Sequence, residues 1–239
     1  MDNDILWVWQ PFGFVPAVEK AREGIDHPST EVLSNPRLCV IQLFGSDSGF
    51  AVSHAVLASR TGICDAALIP VSPHSMEDLA EHMWQKMDRR MMLGNKGIPY
   101  GLVVLAETAI PTDALEFIGN PSIGLSDQEK EAVREFCAER AKERHIQGQT
   151  DDALRTAGLK IVSRDLYELL RERAVQQDLP QWDILRMFTS ESRRLLRHPT
   201  KLLRHPIRAE TGNAGRGQRH GRLHGLYDKP VASGIRPSL

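Results

Sequence analysis

The sequence is poor in cysteine, carries almost no net charge and has no long apolar run. Its three cysteines, Cys39, Cys64 and Cys137, are odd in number and widely spaced, which argues against a disulfide framework or a zinc site and indicates buried thiols. A formal charge of -1 argues against a chain built as a whole to bind nucleic acid or membrane. Because no run reaches membrane-spanning length and the acidic start is unlike a signal peptide, we expect a cytoplasmic protein.

The 239 residues do contain short apolar runs that alternate with amphipathic segments, and 41% hydrophobic residues suffice for a core. The apolar runs predict strands at 38–44, 66–70, 100–106, 159–163 and 182–189. Helical spacing predicts helices at 14–24, from 48 onward, at 76–92, 126–144, within 147–155 and at 164–177. This alternation predicts right-handed βαβ crossovers and an α/β fold, a three-layer parallel sheet with flanking helices.

Local signals refine these elements. Gly24 is expected to end the first helix, and 28–36 is expected to be a loop. Ser126 and Glu129 have the spacing of a capping box, which places a helix start at Ser126. The methionines of 76–92 are predicted to fill the core rather than to hold a cofactor. Glu107 directly follows the strand at 100–106, at the end where functional side chains gather in parallel sheets.

The stretch 37–58 is the centre of the prediction. An apolar strand is followed by the small polar turn 45–49 and by a helix, for which Ser46, Asp47 or Ser48 is the predicted N-cap and Phe50, Ala51, Ala55, Leu57 and Ala58 the predicted apolar stripe. Such a turn places a helix dipole at the carboxyl edge of a sheet, where phosphates bind, but many such turns bind nothing. Gly45 and Gly49 lack the third glycine of the dinucleotide fingerprint.

Three residues at the start of the chain carry a family resemblance. Asp2-Asn3-Asp4 resembles the Thr-x-Asp-Asn-Asp signature of the phosphofructokinase family, the enzymes that phosphorylate C1 of fructose 6-phosphate. The resemblance implies that Asp2 is the general base on the sugar hydroxyl and that Asp4 lies near Mg²⁺-bound phosphates. This chemistry needs both groups, because the hydroxyl must lose a proton while metal ions neutralise phosphate charge.

A second motif joins Arg37 to Phe44-Gly45-Ser46 and resembles the family's Arg-x-x-x-x-x-x-Met-Gly-Arg arrangement. The resemblance implies that Arg37 reaches the sugar phosphate of a neighbouring subunit and that the glycine turn holds the sugar. Phe44 replaces methionine and Ser46 replaces arginine. Because serine supplies no charge, we expect weaker or differently arranged sugar binding at this turn.

Two further segments extend the resemblance to residue 197. The run ending at Val71 resembles a family strand that ends Ile-Pro-Glu, where the glutamate binds sugar hydroxyls. The absence of that glutamate would cost roughly 1.5 to 3 kcal/mol of sugar-binding free energy. Arg197 matches the arginine of a His-x-x-Arg segment that grips the 6-phosphate, while Arg194 replaces the histidine.

The family's glycine-rich loops for ATP or pyrophosphate lie upstream of the signature at which this chain begins, so we expect the phosphoryl-donor site to be missing. The resemblance therefore implies a partial sugar-phosphate domain at 1–197, a fragment of a 6-phosphofructokinase whose parent uses Mg²⁺ and forms a homo-oligomer. The alternative is a non-enzymatic remnant or a sugar-phosphate-binding module.

The segment 198–239 is predicted to be a basic, disordered tail. From Arg193 onward about eleven lysines and arginines face only Glu210 and Asp228 as acidic residues, and apolar periodicity is lost. Residues 210–232 can be encoded by DNA whose reading frame one nucleotide downstream encodes RLGTLAVDNAMAGYTDFMISQWL. That second sequence resembles a helix of the family. We therefore expect a frameshift product with no role in a site. Scarce aromatic residues argue against a nucleic-acid role for this tail.

We predict that the chain alone does not transfer phosphate, because nothing in the expected site positions the donor. The measurement is a coupled assay with fructose 6-phosphate, Mg²⁺ and either ATP or pyrophosphate. Turnover above background that is lost in Asp2→Ala would contradict this expectation.

Overall fold

A computed structural model of the chain describes residues 13–43, 49–93, 99–141, 152–183 and 185–191. All of these residues belong to one compact unit, Met1–His198. The predicted tail, 198–239, lies outside the described residues. In chain order the elements are α1 Phe14–Ser34, β1 Leu38–Leu43, α2 Phe50–Ala58, β2 Ala66–Leu68, α3 Met76–Leu93, β3 Gly101–Ala106, α4 Ala114–Phe117, α5 Asp127–Ala141, α6 Asp152–Lys160, a π-helical segment Ile161–Asp165, α7 Leu166–Gln176, a 3₁₀ turn Pro180–Trp182 and β4 Met187–Glu191.

The four strands form one parallel sheet in the order β2-β3-β1-β4. The central pair runs in register from Leu38 opposite Gly101 to Leu43 opposite Ala106. Every residue of both central strands is buried, which explains why their sequences are continuous apolar runs without alternation. The predicted α/β fold with a parallel sheet is confirmed.

Helices cover both faces of the sheet. The connection from β1 to β2 through α2 passes β3, and the connection from β2 back to β3 runs through α3 in the opposite direction. Right-handed crossovers in opposite directions place α2 and α3 on opposite faces. Helix α1 packs beside α2, and α7 packs beside α3, which completes three layers.

The methionines of α3 belong to the core, as predicted. Met76, Met83 and Met87 are fully buried. A Cβ atom added to Gly101, the first residue of β3, would lie 2.7 Å from Cε of Met83 and 3.1 Å from the sulfur of Met87. Glycine at this position therefore lets α3 lie close to the sheet.

Helix α1 is longer than predicted. It passes through Gly24 and Pro28 and ends at Ser34, so the predicted loop at 28–36 is wrong. Its apolar face extends from Ile25 before the proline to Val32 after it, and both side chains are almost completely buried. Burial of this face against the sheet outweighs the backbone hydrogen bond that a proline removes from the helix.

The predicted strand at 159–163 is also wrong, because these residues lie in α6 and the π-helical segment that follows it. Leu159 and Val162 join the main core under the sheet, whereas Ile161 joins a second cluster with α4 and α5. A helix buried on two sides has an unbroken apolar run, and such a run has no helical period to reveal it. The last strand, β4, starts at Met187 rather than at residue 182.

The cysteines form no disulfides, and the prediction of buried thiols is confirmed for Cys39 alone. All three are free; Cys39 is buried, whereas Cys64 and Cys137 are half-buried. Burial raises the pKa of Cys39 to about 12 and the pKa of Cys64 to about 12, and it also raises the pKa of Cys137. These thiols are therefore protonated and weakly nucleophilic at neutral pH.

The predicted capping box at the start of α5 is confirmed. The Glu129 carboxylate accepts the backbone N–H of Ser126 at 2.6 Å, and the Ser126 hydroxyl accepts the backbone N–H of Glu129 at 3.3 Å. Glu129 also pairs with Lys160 of α6 at 2.7 Å. The box therefore joins the start of α5 to a neighbouring helix.

We predict that Ser126→Ala lowers the free energy of unfolding by about 1 kcal/mol, because a backbone N–H of α5 loses its acceptor. Urea unfolding followed by circular dichroism measures the change. Ser34→Ala is the control, since its exposed hydroxyl donates only to carbonyls of its own helix. Equal losses in the two variants would contradict a stabilising cap at Ser126.

Candidate functional site

The strand order creates one topological switch point, between β1 and β3. From β1 the chain crosses towards β2, whereas from β3 it crosses in the other direction towards β4. The two connections leave on opposite faces and open a crevice outside the carboxyl ends of these strands. Open parallel sheets bind ligands at such crevices, so this edge is the candidate functional site.

Helix α2 begins at this edge through a glycine. Gly49 is the N-cap, has φ of 68° and accepts the backbone N–H of Ser53 at 2.9 Å. A Cβ atom there would lie 2.7 Å from two side-chain carbons of Ile69 and 3.2 Å from Pro70 Cδ. Both its left-handed backbone and its packing against the β2 loop therefore require glycine.

Gly49 has the N-cap position of α2, whereas Ser46, Asp47 and Ser48, which were predicted to cap its first turn with their side chains, lie outside the described residues. The predicted apolar stripe of α2 is only partly correct. Of its predicted members only Ala55 is buried, together with Val52, which was not predicted, whereas Phe50 and Leu57 are exposed. A helix with apolar residues on all sides gives no sequence signal of which side faces the sheet.

Glu107 lies at the carboxyl end of β3, as predicted, and is almost completely buried. Its carboxylate pairs with Arg155 of α6, with 3.2 Å between Oε1 and Nη1. The side-chain amide of Gln42, near the end of β1, donates to the backbone carbonyl of Arg155 at 2.9 Å. Helix α6 is thus bound to both strands of the switch point. The sequence indicated Glu107, but no local signal indicated Arg155, which is 48 residues away.

The loops after β2 and β3 are joined to each other. The backbone N–H of Thr112 donates to the carbonyl of His74 at 2.9 Å, and the Asp113 carboxylate accepts the backbone N–H of Met76 at the start of α3. Burial lowers the pKa of His74, so this imidazole is neutral at pH 7. Val71, in the same loop after β2, is 68% exposed.

Among the residues of the predicted sugar-phosphate site, Arg37 is the one that the structure describes, and it lies at the amino edge of the sheet. Its guanidinium pairs with Glu31 at 3.1 Å and lies 6.0 Å from the ring centre of Phe188. Six residues of β1 separate Arg37 from the opposite edge, roughly 20 Å. Arg37 therefore cannot contact a ligand in the crevice of its own chain. The other predicted site residues lie outside the described residues: Asp2, Asp4, Phe44, Gly45, Ser46 and Arg197.

Within the described residues, no group of three or more histidines, cysteines, aspartates or glutamates is arranged to hold a metal ion. No helix in the described ranges is both long and apolar enough to cross a membrane. The predicted metal-side carboxylate, Asp4, is among the residues that are not described.

The fold and this edge define an open α/β protein with a switch-point crevice, and comparison with known proteins identifies its family. The family model described as phosphofructokinase matches residues 1–162. The chain belongs to the phosphofructokinase family.

Curated relatives match about half of this chain. An ATP-dependent 6-phosphofructokinase of Chloroflexus aurantiacus is 33% identical over 116 residues, 48% of this chain and 30% of that protein. ATP-dependent 6-phosphofructokinase 1 of Arabidopsis thaliana is 36% identical over 46% of this chain and 22% of that protein. A pyrophosphate–fructose 6-phosphate 1-phosphotransferase of Amycolatopsis methanolica is 30% identical over 49% of this chain and 31% of that protein. The chain thus spans less than a third of the length of these relatives.

Among solved structures, the phosphofructokinase of Saccharomyces cerevisiae is similar with a TM-score of 0.39 and 15% identity, over 73% of this chain and 28% of that chain. The phosphofructokinase of Pichia pastoris in the T-state has a TM-score of 0.38 and 15% identity, over 79% of this chain and 22% of that chain.

We predict that Gly49→Ala destabilises the fold more than Gly62→Ala, by at least about 1 kcal/mol. Both glycines have positive φ, which costs an alanine about 1–2 kcal/mol, but only Gly49 adds a steric overlap, with Ile69. Gly62 has no atom within 4 Å of the added Cβ and is the matched control. Denaturant unfolding of both variants measures the difference, and equal costs would show that the Ile69 contact is not restrictive.

Proposed function

We propose that this chain forms the sugar-phosphate side of a 6-phosphofructokinase active site, which transfers a phosphoryl group to the C1 hydroxyl of fructose 6-phosphate in glycolysis. The observation that carries the proposal is the topological switch point at the carboxyl ends of β1 and β3, because the segment that resembles the family's sugar-binding turn follows β1 directly in the sequence. Family membership and the names of the relatives support it. Glycolysis would place the protein in the cytoplasm.

In the proposed reaction, Asp2 takes the proton of the C1 hydroxyl. The sugar oxygen then forms a bond to the terminal phosphorus of ATP or pyrophosphate, and the bond from that phosphorus to the leaving group breaks. Mg²⁺, for which Asp4 is the proposed carboxylate, would neutralise donor charge. On the sugar side, Phe44, Gly45 and Ser46 form the proposed turn and Arg197 the proposed phosphate contact.

Arg37 has a role in this proposal only if the protein is a homo-oligomer. It lies at the amino edge, at the far end of β1 from the crevice, and its side chain is half-buried against Glu31. A guanidinium in this position is available to the sugar phosphate of a neighbouring subunit, since planar bidentate donors suit phosphate. We therefore propose a homo-oligomer in which Arg37 acts across the subunit boundary.

A sugar-phosphate-binding module without catalysis is the second candidate. Ser46 and Val71 favour it, because each lacks the charged group that the family has at that position. An ordinary phosphofructokinase site would use both groups to orient the sugar. Turnover in the coupled assay that is lost in Asp2→Ala would exclude this module.

We predict that Arg37→Ala weakens binding of fructose 6-phosphate by about 10- to 100-fold, the loss of a charge-assisted contact. Isothermal calorimetry on the full chain measures the affinity, and sedimentation measures the oligomeric state. Arg134→Ala is the matched control, because Arg134 is an exposed arginine whose only described ion pair is with Glu131 on its own helix.

Absence of binding by the unaltered chain would contradict a sugar-phosphate site. Equal affinities of the Arg37 and Arg134 variants would contradict the role of Arg37. Binding by a strictly monomeric chain that still depends on Arg37 would contradict the arrangement across subunits.

A further inference from the structure

Asp165 is a buried carboxyl group that the proposed reaction does not use. It is the last residue of the π-helical segment between α6 and α7 and is 3% exposed. Its Oδ2 atom has no hydrogen-bond partner in the described part of the chain. An ionised oxygen in such a place loses its hydration without replacement, which is unfavourable for the folded state.

The described charged groups that act on Asp165 are all acidic. Asp113 faces it from the loop before α4, and Glu168 and Glu172 face it from α7. The two basic side chains nearest in sequence bind elsewhere: Lys160 pairs with Glu129 at 2.7 Å, and Arg164 donates to the carbonyls of residues 122 and 123. No described cation therefore offsets a negative charge on Asp165.

The backbone around Asp165 is irregular. The π-helical segment interrupts the continuous helix from Asp152 to Gln176 with wider turns. The buried Ser163 hydroxyl donates to the carbonyl of Leu159 at 2.6 Å, so the segment is held by local bonds and by its apolar neighbours. At the start of the same helix, Arg155 binds Glu107 and Gln42 at the switch point.

We propose that Asp165 is a proton-operated switch: the uncharged carboxyl keeps the π-helical segment packed, and its ionisation loosens the helix from Asp152 to Gln176. The switch changes the stability of the helix that holds Arg155 against the crevice. The inference stands on the burial of Asp165 and the carboxylates around it, and it is independent of the proposed function.

The direction of the effect follows from linkage. Burial, followed by the charges of Glu168, Asp113 and Glu172, raises the pKa of Asp165 from 3.8 to about 6. A group whose pKa is raised in the folded state contributes stability that is fully present when the pH is below its pKa in the unfolded chain. That stability is lost as the pH rises from about 4 through 6, so the helix is weakest at neutral and alkaline pH.

The first test compares thermal unfolding of the full chain with that of Asp165→Asn, which cannot ionise. We expect the Tm of Asp165→Asn minus the Tm of the unaltered chain to be about 4 °C larger at pH 8 than at pH 5. Asp183→Asn is the control, since its carboxylate is exposed and pairs only loosely with Arg171 at 3.8 Å. The Tm difference for this control should not change with pH.

If the Tm difference between Asp165→Asn and the unaltered chain is the same at both pH values, the proposal is overturned. Should this variant not fold, hydrogen exchange of the unaltered chain at pH 5 and pH 8, corrected for intrinsic rates, provides the test. We expect peptides covering 161–170 to lose protection at pH 8 relative to peptides covering α3. Unchanged relative protection overturns the proposal as well.

Discussion

The burial of β1 and β3 on both faces is the constraint on which the rest of the structure depends. All twelve residues of these paired strands are buried, so each face of the sheet must be covered by helices. Helices α1 and α2 cover one face, and α3 and α7 cover the other. Because parallel strands require crossover connections, the strand order β2-β3-β1-β4 sends the chain in opposite directions after β1 and β3 and produces the switch point at one edge.

Contacts between distant elements fix the geometry of that edge. Arg155 binds Glu107 and Gln42, and Asp113 accepts the first N–H group of α3. A buried ion pair such as Glu107 with Arg155 contributes little net stability, because desolvation offsets most of the attraction. Removing one partner would leave the other charge buried, so the pair specifies where α6 lies rather than how stable the protein is.

The two ends of β1 have different chemistry. At the amino end, Arg37 lies near Glu31 and the ring of Phe188; at the carboxyl end, the chain leads to α2, which has Gly49 as its N-cap. The length of the strand keeps these ends apart within one chain. Any ligand that uses both ends must therefore lie between two copies, and this geometric requirement connects the proposed sugar site to an oligomer.

The sequence by itself determined the elements whose signals are local. The apolar runs of β1 and β3 predicted buried parallel strands, the methionine spacing predicted α3, and Ser126 with Glu129 predicted the start of α5. The motifs that resemble the phosphofructokinase family also lie within short stretches, and the family model confirmed that membership. In each case the residues that carry the information are neighbours along the chain.

Only the tertiary structure decided the features that depend on distant partners. Helix α1 continues through Pro28 because its apolar face is buried, and 159–163 is helical because it lies between two cores. The pairing of Glu107 with Arg155 and the Asp165 oxygen that has no partner among the described residues likewise result from packing. Local propensities amount to tenths of a kcal/mol per residue, whereas burial of a large apolar side chain contributes about 2 kcal/mol, so packing decides wherever the two conflict.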